Sequence, residues 1–595
     1  MPSASYCIKE FEHAKHIPPD PDLVNANTSL AVLHELAWKK QDESALFHKE
    51  TVRRDELRMK NVQVREYMTV LKWEPNTAFL KMNEVKGILI RDAYCRMIQT
   101  VESILWPKPE ANESSEEAMD IDLDPQYNPF KADLRPSEDV ACVVVSGGPG
   151  IGKTLFIVHV LTLCLLARRP VVWQDAPNEV LVFVDEGVYS ATLSGALSNY
   201  IPNGALYLSD CAPDVPTPNH GLVKSLVTLK GARLLHFAFP RQQNIAGFNK
   251  FPFDHTIVYM EQCTPEDLVC CRHLWYNQIS EREIEEFIKL YGLSCRNTQR
   301  YARKLVKFDG MIRNKITRLN EAALFDAIPR TTSVLATSEE EARALHNIFC
   351  IQPQPTNVED CSITIQTRHI YEMILQHFQK CEQQSAVKLF KIFCVNYKSK
   401  GCAGFLLEDW VIGRLPKGGE WCLHAMEVVS GSKAEKRLRW RDVTNGNTHY
   451  LRVGHCGTAT VTDRRVNAEH FDTIRTFDYG IRGTDKVEAL PETDGIGLLV
   501  KENQPTYDLF FWIPREKRAI MVQVTVSSSH NIAGKGLEQL KKAGAEHLDL
   551  IVVTPELKGR TKKDTVEVYT EKANKGMLEH IYHLTVFETD MEMME

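Results

Sequence analysis

The feature that most constrains this chain spans residues 141 to 166, ACVVVSGGPGIGKTLFIVHVLTLCLL. An apolar strand runs into a glycine-rich loop, and an apolar helix leaves it. The pattern GxxxxGKT is complete at Gly147, Gly152, Lys153 and Thr154. Glycines let successive backbone N–H groups curl around a phosphate, and the N-terminus of the following helix adds the positive end of its dipole. The expected phosphate cradle is Gly147, Gly148, Pro149, Gly150, Ile151, Gly152, Lys153, Thr154 and Leu155. Within it Lys153 reaches the β- and γ-phosphates of ATP, and Thr154 ligates Mg²⁺.

Such a loop needs an acid on a neighbouring strand to hold the Mg²⁺ shell. VLVFVDE (180 to 186) ends in Asp185 and Glu186, and ALYLSD (205 to 210) ends in Asp210. The first follows PVVWQDAPNE so closely that the two read as a hairpin with its turn at 176 to 179. That would carry Asp185 away from the carboxyl edge of the sheet, so Asp210 is the favoured metal acid. The next strand, ARLLHFAF (232 to 239), leads to Pro240, Arg241 and Asn244, polar enough to sense a γ-phosphate.

The rest of the chain is ordinary globular material. Its 595 residues are 43% apolar and 25% charged, with net charge -7. Length suggests about three to four domains. A weak negative charge gives no global pull toward nucleic acid, so any such interface is a local patch. No apolar run approaches the ~20 residues of a membrane helix, and the first 16 residues lack an apolar signal core, so neither anchor nor signal peptide is expected. The 16 cysteines include no CxxC pair, and scattered thiols suit a reducing compartment. Cys263, Cys270, Cys271 and His273 read as buried thiols on a helix rather than a metal site.

The expected organisation follows texture. Residues 1–84 are polar and helical with no assigned chemistry, 85–106 form a lead-in helix, and 107–139 an acidic disordered insertion. Alternating strands and helices mark 140–262 as a parallel-sheet core. Helices dominate 263–330, a connector ending in a helix covers 331–384, and 385–595 form a separate α/β domain.

Several strings in register resemble the Crinkler effectors and the related retrotransposon-hot-spot proteins. ILIRDAYCRMI (88 to 98) resembles their lead-in segment, LYLSDCAPD (206 to 214) their second-acid strand, and LLHFAFPRQQNIAGFNK (234 to 250) their sensor strand. YMEQCTPEDL (259 to 268) resembles the start of their helical lid, FIKLYGLSCRNTQRY (287 to 301) the lid turn that makes Arg296 a sensor arginine, and ARALHNIFCIQP (342 to 353) the connector. The resemblance implies an α/β multidomain chain: a P-loop NTPase of STAND/AAA+ type with a helical lid, fused to a restriction-endonuclease-like domain. No ubiquitin-like domain of the kind that opens many Crinklers is seen in residues 1 to 75. The resemblance also implies secretion and action in a host nucleus.

Restriction-like nucleases hold Mg²⁺ with an acid near one strand and an (Asp/Glu/Gln)-x-Lys pair on the next, the lysine orienting the attacking water. Here Glu408 lies in a helical string (404 to 415), Asp508 leads the strand YDLFFWIP, a turn follows at 514 to 517, and Gln523 and Thr525 lie in AIMVQVTVSSSH (519 to 530). Asp508 and Gln523 flank a hairpin and are expected to meet. Thr525 stands where the lysine belongs and supplies no cation; His530 or Lys535 are the substitutes at hand. KGRTKK (558 to 563) is a basic run suited to a phosphate backbone or to solvent.

The expected function is therefore an ATP- and Mg²⁺-dependent ATPase that regulates a nuclease-like domain acting on DNA. Its lid would close through Arg296. The alternative is a nucleotide-switched binding module whose nuclease fold is inactive and grips nucleic acid or a host protein. A homo-oligomer belongs to the same expectation.

Overall fold

The computed structural model describes residues 22–23, 29–59, 62–72, 85–107, 124–132, 135–174, 176–193, 195–210, 218–238, 248, 251–318, 347–354, 357–379, 390, 400–429, 437–442, 448–454, 458–465, 476–479, 489–499, 506–527, 529–556, 566–571 and 576–587. The chain is a mixed α/β protein that divides into two units, Met1–Ile374 and Leu375–Glu595.

The first unit is built on an eight-stranded sheet. Its order is Asp22–Leu23, Gly187–Thr192, Glu179–Val184, Val171–Gln174, Leu206–Asp210, Arg233–Ala238, Val140–Ser146 and Asp254–Tyr259. The last five are mutually parallel. Val171–Gln174 and Glu179–Val184 pair antiparallel, as the closeness of their sequences suggested. The strand of Asp210 is separated from the strand feeding the glycine loop by Arg233–Ala238 alone.

Helix Lys153–Leu166 leaves the loop and has 12 of its 14 residues buried. A helix that is apolar all round cannot lie at the surface. One side packs on the sheet through Phe156, which meets Phe237. The other side needs a second cover, which the N-terminal region supplies: Leu33, Trp38, Phe47, Ile98 and Val101 join the same core as Phe156 and Leu163. Each fully buried Leu or Phe contributes about 1.5–3 kcal/mol.

Several expected boundaries are thereby corrected. The described residues of 1–84 contribute to the same core, and they include strands Phe47–Thr51 and Tyr67–Leu71, which form a three-stranded sheet with Ile88–Leu89. The lead-in is strand, then helix Asp92–Leu105, because Ile88–Leu89 pairs with Val70 and Leu71. The stretch expected to be disordered at 107–139 packs at 124–132. There Phe130 is buried, Asn128 Nδ2 donates to Leu163 O at 2.8 Å, and Tyr127 donates to Glu102 at 2.5 Å. Residues 108–123 lie outside the described residues.

The expected lid region contains helices Pro265–Cys271, Glu281–Tyr291, Cys295–Tyr301 and Leu305–Arg318. Reciprocal side-chain caps begin the first two: Thr264 with Asp267, and Ser280 with Glu283. The connector holds a hairpin, Phe349–Gln354 with Asn357–Ile365, before its expected helix, Arg368–Gln379. The division at Ile374 falls inside that helix, ten residues ahead of the expected boundary at 384.

The second unit contains a twelve-stranded sheet. At its centre Arg518–Val524, His547–Pro555 and His580–Val586 run parallel, with Leu509–Ile513 antiparallel beside the first. Helix Gly534–Lys542 covers one face, where Leu537 and Leu540 pack with Met521, Leu550 and Val552. Helix Lys400–Arg414 packs against strand Arg518–Val524. Among the described residues six strands lie between the first helix and Leu509, and a third strand, Ser529–Ile532, interrupts the expected order of helix, two strands, helix, strand. The segment 519–530 is two strands rather than one: Arg518–Val524, then Ser529–Ile532, which pairs with Glu567–Glu571.

Candidate functional site

The glycine loop turns sharply. Gly150 and Gly152 adopt φ of +79° and +102°, a region that side-chain-bearing residues avoid. Space demands glycine as well. A methyl group on Gly152 would stand 2.2 Å from the Tyr94 hydroxyl, and one on Gly150 would stand 3.0 Å from Arg296 Cβ and 2.9 Å from Ser294 Oγ.

Lys153 is buried and folds back over the loop, donating to Gly147 O at 2.7 Å and Gly148 O at 2.8 Å. Thr154 Oγ1 donates to Asp210 Oδ2 at 2.9 Å. The loop therefore gathers Lys153, Thr154, Asp210 and the backbone at Arg296, residues spread over 143 positions of sequence. Pro149 and Gly148 lie at the half-buried crown of the turn, Ile151 is buried, and Leu155 is half-buried at the helix start.

Asp185 is elsewhere. It follows strand Glu179–Val184, where the Trp38 indole donates to its Oδ1 at 2.9 Å and Lys39 pairs with it at 3.2 Å. The Trp38 and Lys39 bonds hold its carboxyl below the usual range. Glu186 is exposed beside it. Arg241, with Pro240 and Asn244, lies outside the described residues.

Two residues near the loop were not singled out from sequence. Arg91 is buried. It donates from Nη1 to Ile151 O at 2.5 Å, from Nη2 to Gln262 O at 2.8 Å, and from Nε to Asp267 Oδ2 at 3.1 Å. Burial alone would weaken its charge; Cys263, Tyr94 and Asp267 outweigh that and raise its pKa. Tyr94 donates to Gly152 O at 2.9 Å. Together they tie the loop to helix Pro265–Cys271, whose N-terminal cap includes Asp267. Both lie in the string ILIRDAYCRMI, but partners 58 and 60 positions away leave no local signal.

The cysteine grouping also differs from the one weighed in sequence. Cys295, beside Arg296, sits within hydrogen-bonding reach of Cys263 and Cys271. Hydrogen bonding to Cys295, then burial, pushes the Cys263 thiol up. Among the described residues the group compact enough for a metal ion is Asp549, Glu579 and His580, and the Arg518 guanidinium already donates to both carboxylates, at 2.6 and 3.1 Å.

In the second unit Asp508 and Gln523 meet. Gln523 Nε2 and the Val524 amide donate to Asp508 Oδ2 at 2.9 and 2.6 Å. Gln523 is buried, and its Oε1 accepts no hydrogen bond. A buried acceptor without a donor costs about 1–3 kcal/mol, and a bound cation or water would relieve it. Thr525 follows the strand, its amide donating to Val553 O at 2.9 Å. Glu408 is half-buried on helix Lys400–Arg414. His530 lies on the separate strand Ser529–Ile532, where burial lowers its pKa, and Lys535 is exposed. The basic run at 558–563 lies outside the described residues.

No known family model matches this chain, and no characterised protein matches it.

Proposed function

We propose that the first unit binds and hydrolyses ATP with Mg²⁺, and that the second is a nuclease-like domain acting on DNA under its control. The chain would then be a Crinkler-like effector. The observation that carries the first part is the 2.9 Å bond from Thr154 to Asp210, with Lys153 folded over the same loop. It pairs the hydroxyl and the carboxylate that a Mg²⁺ ion would need, at the mouth of a helix N-terminus. The sheet order supports the same reading, since one strand separates the loop strand from the acid strand.

The residues fit the group. The loop N–H groups and Lys153 would hold phosphate oxygens, and Thr154 with Asp210 would hold the cation. Mg²⁺, when bound, draws charge from the transferring phosphoryl group. Arg296 stands against Gly150 and would report whether that phosphate is present. Phosphate release by the purified protein, beside Lys153→Ala and Asp210→Asn, tests the reading; equal turnover by all three would end it.

For the second unit, Asp508 and Gln523 with its orphaned Oε1 support metal-assisted phosphodiester hydrolysis. One observation favours the competing reading, an inactive nuclease fold that only grips DNA or a host protein: Thr525 stands where a lysine is needed. Incubation of plasmid with protein, Mg²⁺ and ATP separates the two, with Asp508→Ala as control. Cutting that depends on Asp508 supports the nuclease; binding without cutting supports the grip.

A further inference from the structure

Three side chains stand in line in the second unit. The Thr554 hydroxyl lies 2.7 Å from His583 Nε2, and His583 Nδ1 lies 2.7 Å from Asp442 Oδ2. A carboxylate only accepts, so Nδ1 carries the ring proton and Nε2 presents its lone pair to the threonine hydroxyl. This is the order in which a carboxylate orients a histidine that takes a proton from a hydroxyl. Thr554 is 2% exposed and His583 7%. The second oxygen of Asp442, Oδ1, is buried without a hydrogen-bond partner.

The line lies on the face and at the edge that carry Asp508 and Gln523. Ala519 and Met521 share a core with Leu550, Val552 and Ile581, and side chains alternate along a strand. Gln523, Thr554 and His583 therefore project to that same face. Register places Gln523 beside Val552, and Val552 beside His583. Val524 is the partner of Val553, so Thr525 comes next to Thr554. Met426, opposite Asp442, belongs to the same core. A cross-strand network that only fixed register could sit anywhere along these strands. This one adjoins the position where a lysine is missing.

We propose that Asp442, His583 and Thr554 form a proton relay that takes the place of that lysine and deprotonates the water attacking a DNA phosphodiester. The proposal rests on the nuclease reading of the second unit. The water O–H bond breaks, and its proton passes to Thr554 Oγ1 as the threonine proton passes to His583 Nε2. The hydroxide oxygen bonds to phosphorus, the bond from phosphorus to the departing sugar oxygen breaks, and that oxygen takes a proton from solvent. Asp442 holds the imidazolium until its extra proton passes back through Thr554 to solvent water, which resets the relay.

The test is cleavage of supercoiled plasmid DNA by the full chain with Mg²⁺ and ATP. His583→Ala is expected to lose about 10²–10⁴-fold in rate. Added imidazole should restore part of that loss in His583→Ala and none in Asp508→Ala. Thr554→Ser, which keeps a hydroxyl, should retain far more activity than the isosteric Thr554→Val, with both variants folded by thermal melting. Wild-type cutting by His583→Ala or Thr554→Val overturns the relay. So does a loss in His583→Ala that imidazole leaves unmoved. A wild-type protein that cuts no better than Asp508→Ala removes the nuclease reading itself, and the relay with it.

Discussion

Thr154 Oγ1 and Asp210 Oδ2 meet at 2.9 Å although 56 positions separate them, because parallel strands bring both to one edge of the sheet. If the pair holds Mg²⁺, Asp210→Asn keeps the hydrogen bond but loses a charge. ATP turnover is then expected to fall about 10²–10³-fold, with nucleotide binding retained. Phosphate release and nucleotide binding, measured together, check this; unchanged turnover would remove Asp210 from the metal site.

Gly152→Ala meets two obstacles at once. The residue has φ +102°, and the new methyl group would fall 2.2 Å from the Tyr94 hydroxyl. Nucleotide binding is expected to be lost, with a stability loss of at least about 1 kcal/mol. Adding Tyr94→Phe should remove the clashing hydroxyl without relieving the backbone, so stability recovers in part. Full recovery in calorimetry would mean the left-handed geometry is unimportant.

Arg91 and Asp267 form a buried ion pair at 3.1 Å, with side chains 2% and 7% exposed. Arg91→Met strands a carboxylate in the interior, at a cost of about 3–5 kcal/mol. The double change Arg91→Met with Asp267→Asn should be milder than the single one, since the unpaired charge is gone. Thermal melting of both proteins decides, and an equal loss would place the effect in the Arg91 bonds to the loop carbonyls instead.

Acid should weaken the first unit early. His159 and His236 are buried, and burial pushes each down to about 3. Unfolded histidine titrates near 6.5, so the unfolded chain binds protons first. The stability held by each neutral ring is full above that value and is lost as pH falls from about 6.5 toward 3, by about 1 kcal/mol per pH unit for each. Melting temperature against pH should show this decline, and His159→Phe should flatten it. A slope unchanged by His159→Phe would mean that His159 takes up a proton without unfolding.

The local part of this architecture was legible. The strand, glycine loop and apolar helix at 141–166 could be read directly. So could the antiparallel pairing of Val171–Gln174 with Glu179–Val184 and the meeting of Asp508 with Gln523, because each joins positions close in sequence. What escaped depends on distant partners. Arg91 and Tyr94 read as an amphipathic helix start, and their bonds to Ile151 and Gly152 follow from packing of a second layer on helix Lys153–Leu166. That layer was implied by a helix apolar on every side, yet the polar texture of residues 1–84 hid the Leu33, Trp38 and Phe47 that provide it. The Asp442, Thr554 and His583 line draws on three strands and has no sequence spacing at all.

The most direct test of the central claim is ATP hydrolysis by the full chain beside Lys153→Ala. Lys153 folds back over the loop, bonded to Gly147 O and Gly148 O. Removing it should take away several kcal/mol of transition-state stabilisation, a fall of about 10³-fold or more. Mg²⁺-dependent turnover in the wild type that vanishes in Lys153→Ala is the predicted result. A wild-type protein that neither binds nor hydrolyses ATP, or a variant that turns over as fast, would contradict the account.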